Sequence, residues 1–437
     1  MAGVASGVGK TTIATGLMAA LHRRGIEVAN AKVGPDFIDP GYHALATGRP
    51  PRNLDPWLCG ADHLPGLAGR AGDGADLLVI EGVMGLFDGA DDGSPSSTAD
   101  LAALLDAPVV LVVDASAMSS SVAAIVRGFR DHDERVRLGG VICNRVGSDR
   151  HEALLRQAIG PLGVPVVGCL RRDDAFEWRD RHLGLVPVAE RATAVSRSID
   201  RLAHAVERDL DLAAIESIAR EAPRLDVAHP PMPAHVGPCR IAVAGGAAFT
   251  FSYADNVEAL RAAGAEIVPL DPRRDPTLPD GIGGLIVGGG FPEVFGEELS
   301  ANVDLRSEVR SRIAAGLPTW AECGGLLWLA AALDDRPMVG ALPVRAALGA
   351  RLTLGYRTVR TRRDSVIGPE GTRFRGHEFH YSTCDPPGEA LALDAAHRSG
   401  REGFATPTLL ATYVHHHAGG DTSLIEHFVG AVVSSSS

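Results

Sequence analysis

Short apolar runs alternate with amphipathic stretches along the first half of the chain. The stretch "TTIATGLMAALHRRG" has apolar residues at helical spacing and ends at Gly25, a residue type that often terminates helices. Nearly continuous apolar runs, typical of parallel strands covered on both faces, are "DLLVIEG", "PVVLVVDAS", "LGGVICNRV" and "VPVVGCL". Helical periodicity recurs between them in "TADLAALL", "SSVAAIVRGFRDH" and "RHEALLRQAI". This alternation predicts βαβ units in a doubly wound parallel sheet.

A proline-rich stretch, "EAPRLDVAHPPMPAHVGP", interrupts that pattern at residues 221–238. It predicts an extended linker between domains at 1–220 and 239–434. Beyond it, "RIAVAGG", "YADNVEALRAAGAEIVPL" and "GGLIVGGGFPE" repeat the α/β pattern, and one long helix is predicted near 297–315. Strand-like runs follow in "LTLGYRTVRT", "FRGHEFHYS" and "LLATYVHHH", before a closing helix near 422–433. Two fused α/β domains are therefore expected.

Composition, charge and cysteine spacing argue against several classes of protein. The 437 residues exceed one ordinary domain, and 45% hydrophobic with 22% charged residues is typical of a soluble globular protein. The net charge of −12 argues against nucleic acid as a partner, because phosphate backbones attract basic surfaces. Without a secretory leader or a membrane-length apolar run, we expect a cytoplasmic protein with no membrane partner. Six scattered cysteines without CxxC spacing argue against a disulfide framework or a zinc ribbon.

The chain opens on a phosphate-loop pattern, "MAGVASGVGKTT". Such a loop normally follows a buried strand, and this pattern leaves almost no room for one. Either the strand is very short or the start of the chain is truncated, and truncation is the expectation that we favour.

The segment "ASGVGKTT" resembles a Walker A loop, although Val4 stands where the first glycine is usual. Backbone N–H groups of the loop can cradle phosphate oxygens, Lys10 can reach the β and γ phosphates, and the Thr11 hydroxyl can bind Mg²⁺. A plain Gly-rich turn before a helix is the alternative, but GKTT at a strand–helix junction is the more specific signal. The predicted nucleotide-binding residues of the loop are Gly7, Val8, Gly9, Lys10, Thr11 and Thr12.

Acidic residues near predicted strand ends are candidates to complete a metal site. Glu81 ends a buried strand and can face Thr11, and a carboxylate there suits Mg²⁺; an ordinary surface charge is the alternative. In "AKVGPDFIDPGYH", Lys32 and the two aspartates, Asp36 and Asp39, can steady an acyl phosphate or position a second metal. On spacing alone, a solvated loop explains these residues equally well.

A cysteine lies at a sharp corner in "PTWAECGGLLWL". A strand–turn–helix corner exposes the Cys323 sulfur at a helix N-terminus, where the dipole favours thiolate. The N–H of Gly324 and N–H groups of "GGGFPE", with Gly289 as the chosen donor, can form an oxyanion hole for acyl transfer. A buried structural thiol is the alternative.

A histidine must take the proton of that thiol. The late candidates are His377, His380, His415, His416 and His417. His415 is favoured because it is the first histidine after the strand-like run of "TYVHHH". A zinc site at 415–417 is a weaker rival, because consecutive histidines point in different directions.

Taken together, the segments resemble the cobyrinic acid or hydrogenobyrinic acid a,c-diamide synthase family over nearly the whole chain. The motifs, in the order of that family, are "ASGVGKTT", "KVGPDFIDPGYH", "NLDPW", "VIEGVMGLFDG", "NRVGSDRHE", "GGGFPE", "WAECGGL", "LTLGYR" and "RGHEFHYS". The most specific among them are "GPDFIDPGYH" and "RGHEFHYS".

This resemblance implies an N-terminal P-loop domain like dethiobiotin synthetase, fused to a C-terminal class I glutamine amidotransferase domain. Glutamine releases ammonia at the cysteine, and ATP phosphorylates a carboxylate of a corrin macrocycle in the other domain. Two successive amidations then give the a,c-diamide in cobalamin biosynthesis. The implied co-substrates are ATP and glutamine, the implied substrate is the corrin, and the implied metal is Mg²⁺.

Motif by motif, the resemblance makes Cys323 the nucleophile and His415 its activating histidine. The residues that it places around substrate and acyl phosphate are Asp36, Asp39, Tyr42 and Asp88, with Glu81 at the metal. A lysine matching Lys32 contacts phosphate in the related dethiobiotin enzymes, and an asparagine matching Asn144 contacts adenine. On the residues alone, the adenine role of Asn144 is the less favoured reading.

Two departures from the family pattern affect the histidine. The family often has "YLHLHF" where this chain has "YVHHHA", so the first histidine is the safer assignment. Many amidotransferases have a glutamate two residues after the histidine, a position that His417 occupies here, so a Cys–His dyad is favoured.

Three alternatives stay open: a cobyric acid synthase, a cell-wall amidotransferase, and a ParA-type nucleotide switch. The sequence does not decide whether the macrocycle carries cobalt, or the order of amidation. The oligomeric state is also open, with a homodimer as one option.

Overall fold

Two folded units, Met1–Pro230 and Pro231–Ser437, make up the chain in the computed structural model. The structure describes residues 1–90, 93–172, 192–225, 227–395 and 399–435. The division between the units falls inside the predicted linker, residues 221–238. 

The first unit is built on parallel strands. They are β1 (Ala2–Gly3), β2 (Val28–Val33), β3 (Asn53–Leu54), β4 (Leu77–Glu81), β5 (Val109–Asp114), β6 (Leu138–Val146) and β7 (Val166–Arg171). They pair in the orders β3-β2-β4 and β1-β5-β6-β7. Met1 joins the two sets, because its ammonium donates to the Ile80 carbonyl at 2.9 Å and its carbonyl accepts the Gly82 N–H at 2.8 Å.

Helices cover this sheet on both faces. They are α1 (Lys10–Arg23), α2 (Asp39–Thr47), α3 (Pro56–Cys59), α4 (Leu64–Gly72), α5 (Thr98–Leu104), α6 (Ser121–Asp131), α7 (Asp149–Ile159), α8 (Ala192–Asp209) and α9 (Leu212–Ala219). Successive residues of β5 divide between the faces: Val112 packs in the cluster that contains α1 and α8, and Val113 in the cluster that contains α6 and α7. The predicted doubly wound parallel sheet is confirmed. Strand β1, which precedes the phosphate loop, has two residues.

The second unit has a central sheet with the order β18-β19-β11-β10-β8-β9. Its strands are β8 (Cys239–Ala244), β9 (Ala265–Leu270), β10 (Gly284–Val287), β11 (Thr319–Glu322), β18 (Phe404–Thr406) and β19 (Leu409–Thr412). The strands from β19 to β9 pair in parallel, and β18 is antiparallel at the edge. The helices of this unit are α10 (Ala254–Ala262), α11 (Gly296–Ala301), α12 (Val303–Ala314), α13 (Gly324–Leu329) and α14 (Ser423–Ser435). 

A second, mainly antiparallel sheet belongs to the same unit, and the strand-like patterns did not predict it as a separate layer. Its strands are β12 (Ala330–Leu333), β13 (Arg336–Pro337), β14 (Leu342–Thr361), β15 (Arg373–Asp385), β16 (Leu391–Asp394), β17 (Gly400–Glu402) and β20 (His415–His416). The run "LLATYVHHH" is split between the two sheets, because β19 ends at Thr412 and β20 begins at His415. 

The prediction of one long helix near 297–315 was wrong. The structure has α11 and α12, separated at Asn302, whose ψ of 69° is outside the helical range. The Asn302 side-chain amide donates to the carbonyls of Pro272 at 2.9 Å and Asp275 at 2.8 Å. These bonds tie the junction to a neighbouring loop, a tertiary contact that helical periodicity does not reveal. 

A search of the described part of the chain finds no helix with the length and apolar character needed to cross a membrane.

Candidate active sites

The phosphate loop leads directly from β1 into α1. Gly7 and Gly9 have φ of +75° and +94°, values that glycine adopts without strain. Helix α1 begins at Lys10, one residue earlier than predicted, and the Lys10 ammonium donates to the Ala5 carbonyl at 3.0 Å. Burial lowers the pKa of Lys10. Gly3, the residue before the position where the first glycine is usual, lies close to the Lys10 side chain. A Cβ on Gly3 would lie 2.9 Å from Lys10 Cδ.

Asn144 supports this loop from the end of β6. Its Nδ2 donates to the Val8 carbonyl at 2.8 Å, and its Oδ1 accepts the N–H of Arg145 at 2.9 Å. A Cβ on Gly9 would lie 2.3 Å from the same amide nitrogen. Asn144 therefore holds the loop in this structure, and its contact with adenine stays a prediction.

Carboxylates and a lysine converge beside the loop. The Thr11 hydroxyl lies 2.7 Å from Glu81 Oε1 and 3.1 Å from Asp39 Oδ2. Lys32 Nζ bridges the same two oxygens, at 2.8 Å and 2.6 Å. The structure thus brings together four side chains from three separate sequence motifs.

The charges in this cluster stabilise each other. Burial by itself would raise the pKa of Glu81, but the positive charge of Lys32 and the close contact with His43 outweigh burial and hold that pKa well below its usual range. Burial would lower the pKa of Lys32, yet the charges of Glu81 and Asp39 raise it. Both groups are therefore charged at neutral pH.

Sequence reasoning did not assign a role to His43. Its Nε2 lies 2.6 Å from Glu81 Oε2, and both side chains are fully buried. Asp39 and His43 are four residues apart on α2, so they share one helix face toward Glu81. That spacing within "DPGYH" was the available signal.

The other predicted residues of this region lie in three different environments. Asp36 Oδ1 accepts the N–H groups of Ile38 at 2.7 Å and Asp39 at 3.1 Å, and burial raises the pKa of Asp36 to about 7. Asp88 is exposed and accepts the Gly85 N–H at 2.7 Å. Tyr42 is only 1% exposed and packs in the apolar core, which favours a packing role over contact with substrate.

In the second unit, Cys323 occupies the predicted corner between β11 and α13. Its φ of +48° and ψ of −102° are unusual for a residue with a side chain, and such strain is common at nucleophile corners. The Cys323 N–H donates to the Thr412 carbonyl at 2.7 Å, and its own carbonyl accepts the Leu327 N–H at 3.1 Å. These bonds from a strand and a helix hold the strained residue in place.

The start of helix α13 acts on the pKa of the Cys323 thiol in the expected direction, but other effects outweigh it. The Cys323 side chain is buried, and burial raises the pKa of the thiol, followed by the nearby carboxylates of Glu293 and Glu322. The Gly324 N–H acts in the opposite direction, with an effect smaller than those of burial and Glu293. The thiol is therefore neutral at pH 7 and needs a base.

His415 lies against the same corner. It is 1% exposed and is paired with His377 across β20 and β15. A Cβ built on Gly289 would meet His415 Cε1 at 2.4 Å and Nε2 at 3.3 Å. A Cβ on Gly324 would lie 3.0 Å from the Gly290 nitrogen. The nucleophile corner, the glycine loop and the histidine are thus in close contact, and Gly290 N–H joins the candidates for the oxyanion hole.

The neighbouring histidines lie in other environments. His416 stacks on Trp320 with 6.0 Å between ring centroids, and His417 Nε2 lies 3.9 Å from Asp255. Across the residues that the structure describes, no group of three or more His, Cys, Asp or Glu side chains could hold a metal. The rival zinc site at 415–417 is therefore not supported.

Two family descriptions match the chain. Residues 1–186 match the CobQ/CobB/MinD/ParA nucleotide binding domain, and residues 240–423 match the CobB/CobQ-like glutamine amidotransferase domain. These matches confirm the predicted fusion of a P-loop domain with a glutamine amidotransferase domain.

Full-length relatives are similar to the whole chain. Hydrogenobyrinate a,c-diamide synthase of Streptomyces coelicolor is 48% identical, over 98% of this chain and 96% of the relative. The enzyme of that name from Thermobifida fusca is 47% identical, over 98% and 95%. Cobyrinate a,c-diamide synthase of a Synechococcus species is 42% identical, over 99% and 97%.

Proposed function

From the premise that this chain belongs to the family of hydrogenobyrinate and cobyrinate a,c-diamide synthases, we propose that it uses ATP and glutamine to amidate two carboxylates of a corrin macrocycle. The observation that carries the proposal is the match to these relatives over almost the entire length of both chains. Hydrogenobyrinate is the proposed macrocycle, since the relatives named for it reach 48% identity and the relatives named for cobyrinate reach 43%.

In the second unit, glutamine hydrolysis begins with proton transfer from the Cys323 thiol to His415. A base is required because burial keeps the thiol protonated. The sulfur attacks the side-chain amide of glutamine, and N–H groups of Gly324 and the Gly289 loop stabilise the oxyanion. His415 then gives its proton to the amide nitrogen, so the C–N bond breaks, ammonia leaves and a glutamyl thioester remains on Cys323. Water attacks the thioester, which releases glutamate and restores the thiol.

In the first unit, the phosphate loop and Lys10 hold the ATP phosphates. Mg²⁺ suits the hydroxyl of Thr11 and the carboxylates of Glu81 and Asp39, because it takes few protein oxygens and completes its shell with phosphate and water. When bound, the metal would neutralise charge on the phosphates. Lys32 holds the two carboxylates in place and supplies a further positive charge near the transferred phosphoryl group.

The chemistry explains why both units are needed. A carboxylate does not condense with ammonia in water, and phosphorylation by ATP converts it into an acyl phosphate with a good leaving group. Free ammonia is mostly ammonium at pH 7 and is not nucleophilic, so its release from glutamine within the enzyme supplies the reactive form.

The test measures glutamate release and macrocycle amidation in the same preparation. We expect Cys323→Ala to abolish glutamate release and to retain amidation from added ammonium at high pH. Cys239→Ala, a change at a partly exposed cysteine on β8, serves as the matched control and should match the wild type. Lys10→Ala should abolish amidation from either nitrogen source.

Absence of glutamate release by the wild type with any macrocycle would contradict the proposal. A ParA-type switch would instead show nucleotide-dependent dimerisation without glutamate. Loss of ammonium-dependent amidation in Cys323→Ala would assign the cysteine a structural role. Mass spectrometry of products from hydrogenobyrinic and cobyrinic acid then identifies the macrocycle, and products from cobyrinic acid alone would overturn that part of the proposal.

A further inference from the structure

In Ser–His–Asp enzymes a carboxylate fixes the orientation of the catalytic histidine. The position two residues after His415, where many amidotransferases have a glutamate, holds His417, which faces Asp255 instead. We propose that Glu322, the residue immediately before the nucleophile, positions the His415 imidazole; this inference rests on the proposed glutamine hydrolysis. Nucleophile and positioning carboxylate are then adjacent in sequence.

Distances support this role. Glu322 Oε2 lies 3.6 Å from His415 Nδ1. The other oxygen, Oε1, accepts the backbone N–H of His416 at 3.2 Å, so the carboxylate is anchored to the strand that carries the histidine. A separation of 3.6 Å is longer than a hydrogen bond, but such contacts are often long in unliganded sites and shorten when substrate binds.

The two ring nitrogens of His415 face different neighbours. Its Cε1–Nε2 edge faces Gly289, where a Cβ would meet these atoms at 2.4 Å and 3.3 Å. Its Nδ1 faces Glu322, and its face stacks on His377 with 5.0 Å between centroids and 18° between planes. With the proton held on Nδ1 by the carboxylate, Nε2 is left to accept the proton of the thiol.

The fold places this carboxylate through strand register. Glu322 is the last residue of β11 and pairs with Thr412, the last residue of β19. His415 follows Thr412 by three residues. Glu322 and His415 therefore lie at the same edge of the central sheet. The carboxylate of Glu378 is nearby in the second sheet but is held by Arg357 Nε at 2.5 Å, inside a buried ion pair.

Glu322→Gln tests the proposal, because glutamine keeps the shape and can still accept the His416 N–H while losing the charge that holds the Nδ1 proton. We expect kcat for glutamate release to fall by about 10²-fold or more, by analogy with the loss of the orienting carboxylate in Ser–His–Asp enzymes. The KM for glutamine should stay within about threefold, and ammonium-dependent amidation should be unchanged. Labelling of Cys323 by the diazo-ketone analogue of glutamine should slow in parallel.

Glu266→Gln is the matched control, since Glu266 lies on β9 of the same sheet in an exposed ion pair with Arg240. A kcat of Glu322→Gln within threefold of the wild type would overturn the proposal. A rise in KM with kcat unchanged would also overturn it, because that result indicates a structural or binding role. Failure of the wild type to release glutamate would reject the proposed function instead, so the two failures are distinguishable.

Discussion

Gly289 allows the His415 imidazole to approach the loop that we propose as the oxyanion hole, and Gly289→Ala is expected to separate the two proposed reactions. The added methyl group would lie 2.4 Å from His415 Cε1 and 3.2 Å from Phe251 Cβ. Because its backbone φ is outside the left-handed region, the substitution adds a clash without backbone strain. The expected effect of the substitution is therefore a displacement of the His415 imidazole.

The size of that displacement follows from contact distances. Carbon atoms are in ordinary contact at about 3.5 Å, so the ring must move by about 1 Å. A misplacement of about 1 Å in a catalytic group can lower the rate about 10²-fold. We therefore expect kcat for glutamate release to fall by about two orders of magnitude.

The assay follows glutamate release and, separately, amidation from added ammonium. Ammonium-dependent amidation should be unchanged, because the substitution lies in the second unit. Gly400→Ala is the control, since a Cβ there meets nothing within 4 Å. A glutaminase kcat of Gly289→Ala within threefold of the wild type would refute the reasoning, because it would mean that His415 need not approach this loop.

Three further outcomes are expected. Burial raises the pKa of Glu402 to about 8 from a usual 4.5, so its stabilising contribution is complete below about pH 4.5 and is lost as pH rises through about 8. Glu402→Gln should therefore have a higher Tm than the wild type at pH 9, and this difference in Tm should disappear at pH 5. A lower Tm of the variant than of the wild type at pH 9, measured by calorimetry, would contradict this expectation. His43→Ala removes the 2.6 Å contact to Glu81 and should lower ammonium-dependent amidation by about 10- to 100-fold with glutamate release intact. An unchanged dependence of amidation on Mg²⁺ concentration in that variant would contradict a supporting role at the metal. Asn144→Ala removes one hydrogen bond to the phosphate loop and should raise the KM for ATP by about 2- to 12-fold; an unchanged KM would mean that the loop needs no such support.

Periodicity predicted much of the local structure. The parallel strands of the first unit, the helix after the phosphate loop and the corner at Cys323 lie where the pattern indicated. These features depend on neighbours within a few residues, so a local pattern is sufficient to predict them. The helix broken at Asn302 shows the limit, since that break depends on bonds to a loop about thirty residues away.

The candidate site residues also divide into those that local sequence motifs predict and those whose placement depends on tertiary contacts. Motifs indicated the residues of the phosphate loop, Glu81, Cys323 and His415, because their residue types carry the chemistry. The motifs did not indicate His43 or Glu322, whose roles come from contacts to other elements. They also did not predict the burial of the Cys323 thiol, because burial depends on the residues that pack around it.

By itself the sequence determined which residue types stand at strand ends and turns, and therefore the two kinds of chemistry that the chain can perform. Only the tertiary structure decided which of those residues meet. The pairing of Glu322 with Thr412 and of His377 with His415 joins segments that are 90 and 38 residues apart. The physical reason is that alternation of apolar and polar residues determines which face of a strand is buried, whereas the partner strand is selected by packing over the whole unit.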